Sequence, residues 1–297
     1  MARRHDIDRI LEEWPFEPGE ISARLVRATD GREVLQMRVE MGVLQLETQG
    51  RPDGQTPGGA PTYFEYLLGL ADNPDLIPGI NDGLADGEDH AKVERESAEA
   101  EAALPTDGLA EEASEAVEGE EEPLSDDGFV LSPDQCTEAD REFMQFYHRR
   151  VCWLALREFR RAATDADHTL AFMDFVRDHS PNEEWTLSHE QYRPFVLFHR
   201  TQAAALATLE ESSPEAAMRE LNEGLAKFRD LFSEYDAEDQ FEEDDLVVRL
   251  VELRDTLREQ YDLKPSLSEQ LADAVATEQY ELAAKLRDEM SRGNKSA

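Results

Sequence analysis

Residues Ser266–Gly293 read SLSEQLADAVATEQYELAAKLRDEMSRG. Pro265, Ser266 and, three residues on, Glu269 form a capping box, in which the serine oxygen accepts from the Glu269 amide and the carboxylate returns to the Ser266 amide. A helix is predicted to start there, with Leu267, Leu271, Ala274 and Val275 recurring at helical spacing. Thr277 followed by Glu278 is a second start signal, with the acid at the positive end of a new helix dipole. The second helix carries Tyr280, Ala283, Ala284, Leu286 and Met290, adds a Glu281–Lys285 pair at i,i+4, and closes with Arg292 before Gly293. Two short helices joined this closely predict an antiparallel hairpin. Ala283 and Ala284 are small enough to let the two backbones approach.

The run E-x-Y-E-x-A-A-x-L-R-D from Glu278 to Asp288, preceded by Leu271 and Ala274, resembles the UVR motif, the helical hairpin of UvrB, UvrC, ClpC-type ATPases and McsA-like proteins. The resemblance covers under a tenth of the chain. It implies a surface that pairs with another hairpin or a partner protein and supplies no catalytic residue. The expected contact residues are Leu271, Val275, Tyr280, Ala283, Ala284, Leu286, Arg287 and Met290. The expected partner is another UVR-bearing protein or a second copy of the chain, in the setting of nucleotide-excision repair or Clp-type protein quality control. McsA-like proteins also carry zinc modules built on CxxC pairs, and this chain has none.

Composition sets outer bounds on the rest. The chain has 297 residues, enough for two modest domains, and a formal charge of -38. Phosphate binding depends on clustered Lys and Arg releasing counterions, so direct nucleic-acid binding is not expected. Cys136 and Cys152 are the two cysteines, too few for a disulfide framework or a four-ligand zinc site. No apolar run reaches the roughly 18 residues of a membrane span, and the start Met1-Ala2-Arg3-Arg4-His5 leads into a polar helix rather than a signal h-region. The expectation is a soluble, cytoplasmic protein without a cofactor, a metal site or a membrane contact.

From the N-terminus, Asp6 can cap a helix with Ile7, Ile10, Leu11 and Trp14 on one face, ended by Pro15, Pro18 and Gly19. The period then changes to two. Ile21, Ala23 and Leu25 alternate with polar residues, Asp30-Gly31 signals a turn, Leu35, Met37 and Val39 alternate in the next run, and Met41-Gly42 leads to Leu44 and Leu46. A three-stranded antiparallel meander follows, with its apolar face covered by the first helix or by one opened at Pro61-Thr62 and carrying Tyr63, Phe64, Tyr66, Leu67, Leu68 and Leu70. Residues 1–71 therefore read as a small α+β module. The glycine-rich loop from Gly50 to Gly59 lacks GxxxxGK[ST] and GxGxxG, so a flexible connection is the default reading rather than a phosphate cradle. With Arg24, Arg27, Arg32 and Arg38 it forms the least acidic region, a weak candidate site for an acidic partner.

Between Asp72 and Asp140 there are 23 acidic residues against Lys92 and Arg95. Such a stretch cannot bury enough apolar area to offset chain ordering, so residues 72–135 read as a disordered acidic linker. Phe129-Val130-Leu131 is a short apolar island that either docks elsewhere or begins the next fold. Ser132-Pro133 then opens a helical region running through Phe143, Phe146, Trp153, Phe159, Ala166 and Phe175. His179-Ser180-Pro181-Asn182 breaks it, Gln191 or Tyr192 restarts it, and Ser213-Pro214 caps another helix through Leu221 and Phe228. Residues 136–235 read as an irregular antiparallel helical bundle. The alternative is a tetratricopeptide-like repeat, suggested by the recurrence of Tyr147-His148-Arg149 as Phe198-His199-Arg200. An acidic connector through Asp245 precedes a helix over 245–262, with Leu246, Leu250, Leu253 and Leu257 near coiled-coil spacing, which feeds the hairpin of 263–293. The fold class is α+β overall and mostly α.

Signs of catalysis are sparse. His168 beside Asp165 and Asp167 could ligate a metal if a third group converged on it, and Cys152 beside Trp153 lies on an apolar helix face, where a thiol is more often a small hydrophobe. No nucleophile elbow, Walker motif or kinase signature is present. A non-catalytic adaptor is the first reading; an enzyme or stress-response regulator sited in the helical module, with the hairpin as a targeting element, is the alternative.

Overall fold

The computed structural model describes residues 7–72, 129–265, 267–277 and 279–293; within the last two helices the side chains of residues 268, 269, 272, 273, 276 and 290–293 are outside the description. The expected acidic linker therefore lies mostly outside the described residues, as do Ser266, Glu278 and the side chains of Glu269 and Met290. The described chain is mostly helical, with a three-stranded antiparallel sheet near its start. It divides into two compact units, residues 1–200 and 201–297.

The first unit begins with α1 (Asp8–Glu13) and the meander β1 (Ser22–Arg27), β2 (Glu33–Val39) and β3 (Gly42–Glu47), in that spatial order. Register follows the alternation in sequence. Leu25 faces Leu35, which faces Leu46, and Ala23, Met37 and Leu44 align behind them, while Arg24, Gln36 and Gln45 align on the opposite face. Gly31 supplies the positive φ of the first turn, and the Asp30 carboxylate accepts from the Arg32 amide at 3.1 Å. The covering elements differ from expectation. Trp14 lies on the polar face, donating to Ser22 Oγ at 2.6 Å beneath the Arg24 guanidinium, and its carbonyl accepts from Arg38. The strands β1 and β2 pack instead against α3 (Pro133–Ala155).

Helix α2 (Tyr63–Asp72) joins that same core. Tyr63, Leu67 and Leu70 pack with Leu131, Cys136 and Ala139 of the α3 region and with Phe172, Phe175 and Val176 of α4 (Phe159–His179). Phe172 stacks on Phe64 and Phe143, with centroids 5.0 and 4.6 Å apart. Phe129 packs against this cluster and the Leu131 amide donates to the His179 carbonyl, so the apolar island begins the helical fold rather than docking elsewhere. Helix α2 and the following helices thus share one core, and strands β1 and β2 pack on α3 beside it. The expected boundary between a 1–71 module and a 136–235 bundle is replaced by one at 200/201.

The helical region that reads as continuous from Phe143 to Phe175 is broken at Leu156-Arg157-Glu158. Arg157 takes φ 60°, and the Glu158 amide donates to the Trp153 carbonyl, the C-terminal hydrogen bond of a Schellman motif. A short α5 (Glu183–Glu190), capped by Asn182, and α6 (Arg193–Glu211) follow. In the second unit α7 (Pro214–Glu234) is capped by Ser213, as the sequence predicts, and packs on α8 (Asp245–Gln260), capped by Asp244. Gly224 of α7 meets Thr201 so closely that a Cβ there would lie 2.1 Å from its methyl group. Asp236 and Asp262, at φ 52° and 50°, end α7 and α8 as Arg157 ends α3.

Candidate interaction hairpin

Helices α9 (Leu267–Ala276) and α10 (Tyr280–Gly293) pack together as the predicted hairpin. The second helix starts three residues beyond the Thr277 signal. The Gln279 amide donates back to the Ala274 carbonyl at 2.7 Å, and the Gln279 carbonyl accepts the first helical bonds, from Leu282 and Ala283. The Thr277 hydroxyl accepts from the Gln279 side chain at 3.1 Å, which ties the turn together.

The expected contact residues divide into two sets. Ala274, Ala283 and Leu286 are buried against one another, with Leu267 and Leu271 packed on them, so Leu271, Ala283 and Leu286 form the hairpin's own seam. Ala283 permits the close approach; Ala284 faces outward. Val275 is 48% exposed and Tyr280 68% exposed, and Arg287 is exposed on the same helix as Tyr280. Leu282, which the sequence does not single out, is 43% exposed. The signal for it was available: a leucine one position away from the buried register of Ala283 and Leu286 must face elsewhere.

The other candidates do not converge. His168 stacks on Phe146 at 3.8 Å and contacts the Glu142 carboxylate at 3.2 Å; Asp165 takes a two-pronged ion pair from Arg149 at 2.7 and 2.9 Å; Asp167 pairs with Arg200 at 2.9 Å. Among the described residues no group of three or more His, Cys, Asp or Glu is placed to hold a metal. Burial pushes the Cys136 thiol up to about 11 and the Cys152 thiol up to about 12. The glycine-rich loop is pinned rather than flexible. Buried Arg51 pairs with Glu138 at 2.8 Å and lies 3.4 and 3.5 Å from Asp53 and Glu142, and Arg149 donates to the Glu47 and Gly50 carbonyls. Because Gly50 turns a carbonyl toward a guanidinium, the loop presents the wrong polarity there for a phosphate. Of the surrounding arginines, Arg24 bonds Gln36, Arg32 bonds Asp30 and Glu47, and Arg38 is buried against backbone carbonyls; Arg27 is exposed.

Glu142, fully buried on α3, was not legible as a key residue. Its carboxylate accepts from the Tyr63 and Phe64 amides at 2.6 and 3.0 Å, while Thr62 Oγ1 accepts from Glu65 N, so the first turn of α2 is capped from its own chain and from α3. The available signal is that Glu142, Phe146 and Arg149 share one stripe of α3, placing charges in register with a buried aromatic.

Residues 263–292 match the family described as the UvrB/uvrC motif. This chain carries a UVR hairpin. The match spans both helices and the turn described above, and it accords with the resemblance of Leu271, Ala274, Tyr280 and the following residues. Comparison with curated proteins returned no match, and comparison with solved structures returned none. UVR motifs mediate contacts between proteins, which is the coarse functional statement the hairpin supports. No helix among the described residues is long and apolar enough to cross a membrane.

Proposed function

We propose that this chain is a non-enzymatic adaptor that docks a partner protein through its UVR hairpin, the partner being another UVR-bearing protein or a second copy. The settings implied by the resemblance are nucleotide-excision repair and Clp-type protein quality control. The observation that carries this reading is the outward placement of Tyr280 and Val275. A two-helix unit of this size closes only a thin seam, and a tyrosine at 68% exposure beside further apolar surface is the residue type on which interfaces concentrate their energy. Arg287, exposed on the same helix as Tyr280, is the polar group that orients the encounter. The scattering of His168, Asp165 and Asp167 to three separate partners removes the feature that favoured an enzyme.

The test uses the full chain with Tyr280→Ala and Val275→Ala combined. Truncating an interface anchor costs on the order of 2 kcal/mol or more, so binding to a UVR-bearing protein, or self-association measured by light scattering, should weaken at least about thirtyfold. Circular dichroism should be unchanged. Leu286→Ala is the contrasting variant: its side chain lies in the seam, so it should loosen the hairpin first and binding only as a consequence. Unchanged binding in the Tyr280/Val275 variant would place the interface on another element.

A further inference from the structure

Among the described residues of the first unit, each buried arginine but one has an ion pair or a set of carbonyl acceptors. Arg51 faces three carboxylates, Arg149 grips Asp165 with two hydrogen bonds, and Arg38 is held by backbone carbonyls, while half-buried Arg193 pairs with Glu190 and Asp174. Arg150, on the next position of α3, is 2% exposed and has no carboxylate within ion-pair distance among the described residues. Its hydrogen bond runs from Nη1 to Thr169 Oγ1 at 2.9 Å, the hydroxyl in turn donating to the Asp165 carbonyl, and its Nε has no partner. Asp165, gripped by Arg149, reaches this cation only through its charge, and the Tyr147 ring lies 6.0 Å from the guanidinium. The charge of this cation reaches His199 of α6, 8% exposed, whose Nδ1 is also without a partner. Burial first, and then the Arg150 charge, hold that imidazole neutral, pushed down to about 3.

An unpaired guanidinium in a nearly dry interior is among the least favourable arrangements a core can hold, and its neighbour repeats the deficit. Both unmet groups are nitrogens that can donate: the guanidinium Nε–H, and the neutral imidazole in the tautomer that carries its proton on Nδ1. A guanidinium edge matches the paired oxygens of a carboxylate or phosphate. We infer that Arg150 and His199 form an internal site for a small oxyanion, with Thr169 as the positioning residue that fixes the guanidinium. The anion would supply the missing negative charge and accept from both nitrogens, between α3, α4 and the start of α6.

Because Trp14, Trp153 and Trp185 all fall in residues 1–200, tryptophan fluorescence melting of the full chain reads this unit alone. Sodium phosphate, sodium acetate and sodium chloride are titrated at matched ionic strength, with phosphorus NMR line width as a second readout of phosphate. The expected result is a saturable rise in melting temperature with phosphate or with acetate, the arm that responds naming the anion, and loss of saturation in Arg150→Met. His199→Phe should weaken the apparent affinity about tenfold, one hydrogen bond to a charged group. Arg150→Lys covers the case in which Arg150→Met does not fold: it keeps the charge but loses the planar edge, and should bind at least about tenfold more weakly. No saturable response to either oxyanion in the parent, meaning that water alone meets these groups, overturns the inference. So does an equal response in Arg150→Met, or equal affinity in Arg150→Lys.

Discussion

Replacing Glu142 by Leu tests whether one carboxylate joins the N-terminal segment to the helices that follow. The side chain accepts from two amides at the start of α2 and from His168, and lies 3.5 Å from Arg51. Leucine leaves both amides and the imidazole N–H without an acceptor, at about 1–3 kcal/mol for each buried donor. Arg51 keeps Glu138 and Asp53, so it is not stranded. Against these losses stands the relief of desolvating one carboxylate, worth a few kcal/mol by comparison with buried ion pairs replaced by apolar groups. The net cost is about 3 kcal/mol. With a urea dependence of about 2 kcal/mol per molar, the unfolding midpoint should fall by about 1.5 M. Tryptophan fluorescence reads it, and Glu142→Gln, which retains one acceptor oxygen, should fall between the two. A midpoint within about 0.3 M of the parent would refute the account and mean that solvent already serves the start of α2.

Gly224→Ala should lower the stability of residues 201–293 by about 1–3 kcal/mol despite alanine's better helix propensity, because its Cβ would lie 2.1 Å from the Thr201 methyl. Circular dichroism melting detects the loss while tryptophan fluorescence, silent for this unit, does not move; a gain in stability would contradict the close approach. His199, with its folded-state value pushed down to about 3 by burial and by Arg150, binds fewer protons when folded than when unfolded between about pH 3 and 6.5. Stability from this group is therefore fully present above pH 6.5 and falls as pH drops, by about 2 kcal/mol between pH 7 and pH 5; in phosphate-free buffer the difference in stability between the parent and His199→Phe should change by that amount, and parallel pH profiles would refute it.

What was legible in the sequence is what short-range chemistry dictates. The strand alternation marked the meander, and the caps at Ser132 and Ser213 marked true helix starts. The hairpin at the C-terminal end followed from its apolar spacing and from a motif dense enough to name. What was not legible depends on partners distant in sequence. Three helices end on αL residues that are Arg157, Asp236 and Asp262 rather than glycine, so the usual stop signal is missing. The cover of the sheet could not be found by asking which neighbouring helix is apolar, since α3 lies about a hundred residues away and the nearby Trp14 segment satisfies polar groups instead. Likewise the glycine-rich loop looked flexible because its anchors, Glu138 and Arg149, are encoded far downstream.

The hairpin shows why a motif match and an interface are separate inferences. Ala283 and Leu286 belong to the UVR pattern because they let two helices close on each other, and any chain that keeps the hairpin must keep that seam. Tyr280 belongs to the same pattern yet is exposed, so the seam does not account for it. Charge bears on what such a partner can be. Residues 263–293 hold four basic and six acidic residues within a chain of net charge -38, so this segment carries little of the chain's negative charge. Two copies would still repel at long range and associate more tightly as salt screens that field, whereas a basic partner would be drawn in and released by salt. The sign of the salt dependence therefore discriminates between the two kinds of occupant before either is identified, and it does so through the charge of the whole chain rather than through any residue of the hairpin.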